Sequence, residues 1–536
     1  MSNRNVRYRP VHNASDEDEN ANELSEISIE ERLLNSSDTE SDTDTRVSLK
    51  RNIGIFAGVN IVVGSMIGSG IFIVPTGVLK HCNGNVPVSM GVWVAGGFVA
   101  VLMALCFCEL GTMLPHSGGT AAYLKAIFGD SVCFVFMWMF LFTTQPQSMA
   151  VQIIALGDYI SRAIQSFSGL CSLDSSKLLS KLIGSVFCVA ILVCNMKNVK
   201  LATKLQVVCT VGKVVALVII CVAGLVMIIL DNSVIMANFA LVNATVSDAV
   251  DSTSVKSSGI DLQAVGFTDF SLGVFQALWA YDGFDNILFV TEEVKKPKKS
   301  LPAIIILSVL FVMVLYLLVN VSYFSVLTEQ EMIASNAVAV SFAAKIHPVL
   351  TYVVTAGVCL SLIGSFNVSY LTAGRMPYVA ARYGFMPEFL SMVHVRYFSP
   401  WPALLFITFL SAVMLIPSSI EMLLSAVVFF MWTCRTLSAM GVLIMRKTDP
   451  NLKRPYKVYL VTAVLAILLS GYMSIIPLIF QPQILYLIAF AMAVAFYILY
   501  RLQLSKIIKL TGVGKFTKTC QKLLLVVSPQ TECSST

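Results

Sequence analysis

Charged residues are scarce in this sequence. Asp, Glu, Lys and Arg together make up 13% of its 536 residues, about half of the roughly 25% that is usual in a soluble domain. Apolar residues make up 56%, and the mean hydropathy is +0.78. This balance excludes a cytosolic globular enzyme, a secreted disulfide scaffold and a nucleic-acid-binding domain.

Catalytic motifs are missing as well. The five histidines are scattered, and no His-Glu-x-x-His, catalytic aspartate pair or Ser–His arrangement is present in an apolar segment. The segment Gly68-Ser-Gly70 is not followed by the Gly-Lys-Ser/Thr of a phosphate-binding loop. We therefore expect neither enzymatic activity nor a bound cofactor or metal ion.

Long apolar runs are what the sequence does contain. A transmembrane helix needs about 20 predominantly apolar residues, and runs of this kind recur along the chain. They predict an all-α polytopic membrane protein, and a receptor with seven helices is disfavoured by the number of runs. We place twelve spans, numbered 1 to 12 below, near residues 53–79, 86–111, 131–163, 179–195, 200–230, 268–294, 301–327, 349–375, 401–417, 420–446, 457–479 and 482–502.

The distribution of Lys and Arg predicts the orientation of these spans. With a cytoplasmic N-terminus, the inner loops and the C-terminal tail carry 22 basic residues, whereas the outer loops carry 6. Basic residues concentrate on the cytoplasmic side of membrane proteins. Both termini are therefore predicted to be cytoplasmic.

The two tails differ in charge from each other. Residues 1–50 carry 6 basic and 12 acidic residues, and this polar segment cannot form an apolar core. We predict a disordered acidic tail at 1–46, a transporter domain of twelve helices at 47–503 and a basic tail at 504–536. We expect no signal peptide before the first span, because the N-terminal segment lacks a basic stretch followed by an apolar one.

Two predicted spans are interrupted near their middle. Span 1 has three glycines within Gly64–Gly70, and span 6 contains Trp279-Ala-Tyr-Asp-Gly-Phe-Asp285, with two carboxylates and a glycine. The spacing of Gly64 and Gly68 alone would also suit close helix packing. Two breaks five spans apart, however, are typical of a transporter site built on inverted repeats.

Such breaks suit a zwitterionic ligand. The N-terminus of a half-helix presents free N–H groups that attract a carboxylate, and the unwound chain presents carbonyl oxygens that attract an ammonium group. An amino acid carries both groups a few ångströms apart. The paired breaks therefore predict an amino acid as the transported substrate.

Ionisable side chains within the spans are candidates for function because their burial in a membrane is costly. Asp282 lies at the break of span 6. Lys213 lies near the middle of span 5, too far from an end to snorkel, which favours a functional role or a structural pairing. The roles of Arg435 in span 10 and Glu109 in span 2 are less clear. Glu109 lies near enough to the inner end of its span to reach the interface.

Six motifs together make the sequence resemble the light subunits of heteromeric amino acid transporters, within the amino acid–polyamine–organocation superfamily. The similarity extends from about residue 47 to about residue 528. The motifs are Gly68-Ser-Gly-Ile-Phe72, Cys108-Glu-Leu-Gly-Thr112, Ser117-Gly-Gly119, Val199-Lys-Leu-Ala-Thr203, Val290-Thr-Glu-Glu293 and Ser391-Met-Val-His-Val-Arg396.

The resemblance implies a fold and an activity. The fold is a five-plus-five inverted repeat with helices 1 and 6 broken, and the activity is sodium-independent amino acid exchange at the plasma membrane. The break of span 1 would receive the carboxylate and part of the amine, and the break of span 6 would supply carbonyls and an aromatic gate, Trp279. The residues assigned to substrate binding in this way are Met66, Ile67, Gly68, Ser69, Gly70, Trp279, Ala280, Asp282 and Gly283.

Two further expectations follow from the resemblance, and a third, for Asn243, follows from the predicted orientation. Lys213 would occupy the place where sodium-coupled relatives hold an ion. Cys171, in the outer loop after span 3, would form a disulfide with a single-span glycoprotein heavy subunit; a free thiol or a Cys82–Cys171 pair are the alternatives. Asn243, in the outer loop after span 5, is a candidate N-glycosylation site.

Asp282 is the candidate determinant of the substrate range. The segment Ala280-Tyr-Asp-Gly-Phe284 is similar to the branch that exchanges dibasic and neutral amino acids and cystine. A carboxylate here would offset the charge of a dibasic side chain, whose burial is otherwise expensive. Three alternatives stay open: Asp282 caps or pairs within the broken helix, the exchanger takes large neutral amino acids only, or transport is coupled to protons or sodium.

Overall fold

The computed structural model of the chain is helical almost throughout the part that it describes. Cys171, Asn243, the predicted tail at 1–46 and most of the tail at 504–536 lie outside that part. The described residues are 53–114, 119–168, 177–197, 199–240, 265–335, 337–373, 376–377, 380, 383–395, 397, 399–416, 420–504, 521, 524 and 526–527.

Each of the twelve predicted spans coincides with a helix or with an interrupted helix. In the first half, span 1 comprises Ile55–Met66 and Gly70–His81, span 2 is Val86–Met113, span 3 comprises Asp130–Met139, the π-helical turn Phe140–Thr144 and Gln145–Ser168, span 4 is Lys177–Lys197, span 5 is Val199–Leu230, and span 6 comprises Phe267–Ala277 and the 3₁₀-helix Asn286–Glu293. In the second half, spans 7 to 12 are Pro297–Val326, Pro348–Ala373, Trp401–Val413, Ile420–Thr448, Leu460–Phe480 and Ile484–Leu504.

Length and composition confirm a polytopic membrane protein. Eight helices in the described part of the chain are long and apolar enough to cross a bilayer, and the bent pair of span 1 makes a ninth. The other three spans are interrupted, as in spans 3 and 6, or short, as in span 9. The chain is a multi-pass membrane protein, and the predicted all-α class is confirmed.

Short elements outside the spans were not predicted. They are too short to show a hydropathy signal, although Thr328 and Glu331 form a capping box, which is a sequence signature of a helix start. A pair of two-residue strands joins Val393–His394, between spans 8 and 9, to Val526–Val527 near the C-terminus. In the described residues, the helices outside the spans are Thr120–Phe128, Ser233–Ala240, Glu329–Ala334 and Val338–Ile346, with a 3₁₀-helix at Glu388–Ser391.

Spans 1–5 and spans 6–10 pack in corresponding ways. Span 5 packs against spans 7 and 8, and span 10 packs against spans 2 and 3. The first helix of span 1 packs against span 7, and the first helix of span 6 packs against span 2. Each contact thus has a counterpart five spans away. Because five is an odd number of crossings, the second copy enters the membrane from the opposite side, which is an inverted repeat.

Candidate functional site

Both predicted helix breaks are present. In span 1 the first helix ends at Met66 and the second begins at Gly70, with an angle of 47° between them. In span 6 the helix ends at Ala277, and eight residues of irregular chain precede the 3₁₀-helix. Gly283 in that segment has φ of +101°, a conformation that side chains other than glycine rarely adopt.

The two breaks lie directly against each other. A Cβ atom on Gly70 would lie 2.6 Å from the Cα atom of Ala280, so only glycine allows this approach. The hydroxyl of Tyr316, in span 7, lies 2.8 Å from the carbonyl oxygen of Met66 and 3.0 Å from that of Ala280. Tyr316 therefore bridges both breaks through one buried hydroxyl, whose single hydrogen lies within reach of both carbonyl oxygens.

A cavity of about 130 Å³ opens where the breaks meet. It is lined by residues of spans 1, 3, 6, 8 and 10. Two predicted residues are not among those that line it: the carbonyl of Ile67 accepts a hydrogen bond from Lys213, and the carbonyl of Ala280 faces Tyr316. The predicted residues that do line the cavity are Met66, Gly68, Ser69, Gly70, Trp279, Asp282 and Gly283.

Span 3 contributes a face that the sequence reasoning missed. Its π-helical turn brings Phe140 and Thr144 to the cavity, and such turns are frequent at functional sites. Gln145, Ser148 and Gln152 follow on the same wall. Their spacing of three and four residues places them on one helix face, and this polar stripe in an apolar span was the available signal.

Span 10 contributes a positively charged side chain, that of Arg435, to the wall of the cavity. The Arg435 guanidinium lies 2.9 Å from Asp285 Oδ1 and also forms an ion pair with Asp282. The side chains of Arg435 and Asp285 are 1% and 3% exposed, whereas that of Asp282 is 30% exposed. The Asp282 side chain is thus partly exposed in the cavity. It is also paired with Arg435, which lies on a different span.

Lys213 reaches the break of span 1 from span 5. Its ammonium group is fully buried and donates hydrogen bonds to the carbonyl oxygens of Gly64 and, at 2.6 Å, of Ile67. Among the residues that the structure describes, its hydrogen-bond acceptors are thus backbone carbonyls rather than a carboxylate. Unwound carbonyls of broken helices are ligands for sodium in coupled transporters, and here a fixed cation occupies them.

Residues 53–500 match the family model described as amino acid permease. The chain belongs to the amino acid permease family. It is 33% identical over 480 residues to the mouse b(0,+)-type amino acid transporter 1, covering 89% of this chain and 93% of the relative. The mouse Asc-type amino acid transporter 1 is 34% identical over 440 residues, or 82% and 78% of the two chains. The human cystine/glutamate transporter is 34% identical over 427 residues, or 80% of each.

These similarities confirm the predicted resemblance and identify the permease as a membrane transporter of amino acids. The family match spans both breaks and the whole cavity, because its residues 53–500 include all twelve spans except the end of span 12. The inverted-repeat packing of the helices fits this assignment. The cavity is therefore the candidate substrate site of the permease.

Two aromatic residues of span 6 line the cavity of the permease. Trp279 lies near the start of the irregular segment, and Phe289 lies in the 3₁₀-helix that follows it. Phe289 packs against the connection between spans 2 and 3, where a Cβ atom on Gly119 would lie 3.0 Å from its ring.

A second buried ion pair lies away from the cavity. Glu109, expected to reach the interface, is instead fully buried in the permease. Its carboxylate accepts hydrogen bonds from Arg446 Nε at 3.0 Å and Nη2 at 2.5 Å, and from the backbone N–H of Val458 at 2.8 Å. It thereby joins span 2 to the end of span 10 and to the start of span 11.

In the described residues no group of His, Cys, Asp and Glu has the arrangement of a metal site.

Proposed function

We propose that this permease is a sodium-independent exchanger of dibasic and neutral amino acids and cystine, which works by alternating access at the plasma membrane with both termini in the cytoplasm. The observation that carries the proposal is the cavity between the two breaks, with the Asp282 carboxylate exposed in its wall. The names of the b(0,+)-type and cystine/glutamate relatives support an amino acid as the substrate, and the second name supports cystine among the substrates.

The breaks supply complementary groups for the two ends of the substrate. The helix that begins at Gly70 presents its first N–H groups to the substrate carboxylate. The irregular segment between Ala277 and Asn286 presents carbonyl oxygens to the amine. The side chain then extends past Asp282, whose charge offsets that of lysine, arginine or ornithine and repels that of glutamate.

Sodium independence rests on Lys213. A transporter that uses a sodium gradient must bind and release the ion in each cycle, whereas the ammonium group of a lysine cannot leave. With Lys213 on the carbonyls of Gly64 and Ile67, the break keeps its positive charge throughout the cycle. The transport of one amino acid is then driven by the concentration gradient of the amino acid that is exchanged for it.

Exchange is tested directly with the purified permease in liposomes. We expect vesicles preloaded with leucine to take up labelled arginine at least about tenfold faster than empty vesicles, because an obligatory exchanger returns through the membrane only when loaded. The rate should be the same with external sodium or choline. Equal uptake by loaded and empty vesicles would contradict exchange, and faster uptake in sodium would contradict sodium independence.

Asp282→Asn tests the role of the carboxylate. The change removes one negative charge from the cavity wall and keeps the shape of the side chain, so we expect arginine uptake to fall about tenfold relative to leucine uptake. Uptake of both amino acids from a mixture gives the ratio independently of protein abundance. An unchanged ratio would support the alternative that Asp282 serves only the local structure.

The permease is also proposed to work with a single-span glycoprotein heavy subunit, joined through Cys171. Cys82 is fully buried, which disfavours a Cys82–Cys171 pair. We expect a non-reducing gel of cell membranes to show a high-mass band that disappears on reduction and in Cys171→Ser. Cys82→Ser is the matched control and should retain the band; a band that survives Cys171→Ser would exclude this cysteine.

A further inference from the structure

Asp282 and Asp285 together form a receptor for a guanidinium group, and Arg435 fills it. Arg435 Nη2 contacts both carboxylates, and its Nε lies 3.4 Å from Asp285 Oδ2. The guanidinium carbon lies 4.9 Å from the ring centre of Phe284 and 5.5 Å from that of Trp432. Carboxylates and aromatic faces are the groups that bind a planar cation well.

The two carboxylates differ in whether an oxygen remains available to a ligand. Asp285 is almost fully buried and receives two hydrogen bonds from Arg435. Asp282 receives hydrogen bonds only at Oδ1, from Arg435 and from the backbone N–H of Gly283 at 2.7 Å. Its Oδ2 receives none from any residue that the structure describes. Asp282 therefore keeps one free oxygen for a ligand in the cavity.

The charges of the cluster do not cancel. One guanidinium and two carboxylates give the cavity wall a net charge of −1, and Asp282, Asp285 and Arg435 are the charged residues that line the cavity. Lys213 contributes a fixed positive charge behind the lining. Without Arg435 the same wall would carry −2, a cost that a positively charged substrate would relieve and a neutral one would not.

We propose that Arg435 sets the charge selectivity of the site. It acts as an internal guanidinium that neutralises the buried carboxylate Asp285 and competes with a dibasic side chain for Asp282. The single remaining charge lets the cavity bind both neutral and dibasic amino acids. This inference rests on the proposed exchange function. It adds the residue that limits the preference of the site for dibasic over neutral amino acids.

The test compares four proteins whose cavity walls differ in net charge. The wild type carries −1, Arg435→Met carries −2, Asp285→Asn carries 0, and the double variant Arg435→Met/Asp285→Asn carries −1 again. The readout is the ratio of arginine to leucine uptake from a mixture. It is measured in leucine-loaded vesicles that hold equal amounts of each protein.

The ratio is expected to follow the net charge. One unit of charge near the substrate is worth about tenfold in the partly polar interior of a protein. Arg435→Met should therefore raise the ratio about tenfold, Asp285→Asn should lower it about tenfold, and the double variant should lie within about twofold of the wild type. Arg435→Lys retains the charge and should also stay near the wild-type ratio.

The outcomes separate this inference from the proposed function. If Arg435→Met lowers arginine and leucine uptake equally, Arg435 is a structural residue and the inference is overturned. If that variant does not fold, Asp285→Asn and the double variant still decide, since they differ only in Arg435: equal ratios overturn the inference, and a higher ratio in the double variant supports it. Wild-type vesicles that show no exchange would instead overturn the proposed function.

Discussion

Replacing Lys213 by methionine is expected to lower amino acid exchange at least about tenfold. Methionine has a similar length but no donor, so the carbonyl oxygens of Gly64 and Ile67 would lose the buried ammonium that serves them. A buried polar group left without a partner costs about 1–3 kcal/mol, and each 1.4 kcal/mol is worth a factor of ten. The loss falls on the break of span 1, which we propose to receive the substrate carboxylate.

The measurement is leucine exchange in loaded vesicles at equal protein content. Lys204→Met is the matched control, because Lys204 lies on the same helix but is exposed, and we expect its exchange rate to stay near that of the wild type. Repeating the assay in sodium shows whether the vacated carbonyls now admit that ion. Undiminished exchange in Lys213→Met would refute the view that its ammonium maintains the break.

The second large effect is expected on stability. Glu109→Gln removes the charge that holds Arg446 and weakens the link to Val458. Removing one partner of a buried ion pair costs about 3–5 kcal/mol, and part of this loss is recovered because the amide oxygen still accepts one hydrogen bond. We expect the free energy of unfolding to fall by about 3 kcal/mol, measured by denaturant titration in detergent.

Glu331→Gln provides the matched control for that loss. Glu331 also pairs with a cation, Lys345 at 2.7 Å, but both side chains are 40–45% exposed, and such pairs contribute less than about 1 kcal/mol. The hydrogen bond from Lys345 lowers the pKa of Glu331. Its small contribution is therefore present at neutral pH and is lost as the pH falls through that lowered value. Equal losses from both substitutions would show that burial does not decide the cost.

Hydropathy was sufficient to predict the spans of this permease because each needs only a local run of apolar residues. The boundaries were less certain: span 9 was predicted at 401–417, whereas the helix is Trp401–Val413. The helix breaks were also predictable, since glycines such as Gly70 and Gly283 are required where chains meet closely or φ is positive.

The partners of the charged residues could not be predicted in the same way. Arg435 and Asp285 are 150 residues apart in the chain, and no local pattern indicates that spans 6 and 10 bring them together. The same holds for Glu109 and Arg446, which are 337 residues apart. The sequence suggested that Asp282 is functional, but its pairing depends on the packing of the whole bundle.

The fixed charge of Lys213 has an energetic consequence under the proposed function. A permease that cannot take up sodium cannot draw on the sodium gradient, but membrane voltage still acts on any net charge that an exchange cycle moves. Exchange of an external arginine for an internal leucine moves one positive charge inward, which is worth about 2.3 kcal/mol at 100 mV. That energy corresponds to an accumulation of about fiftyfold. Membrane voltage would thus drive the accumulation of dibasic amino acids. Exchange of one neutral amino acid for another moves no net charge, so the voltage does not drive it.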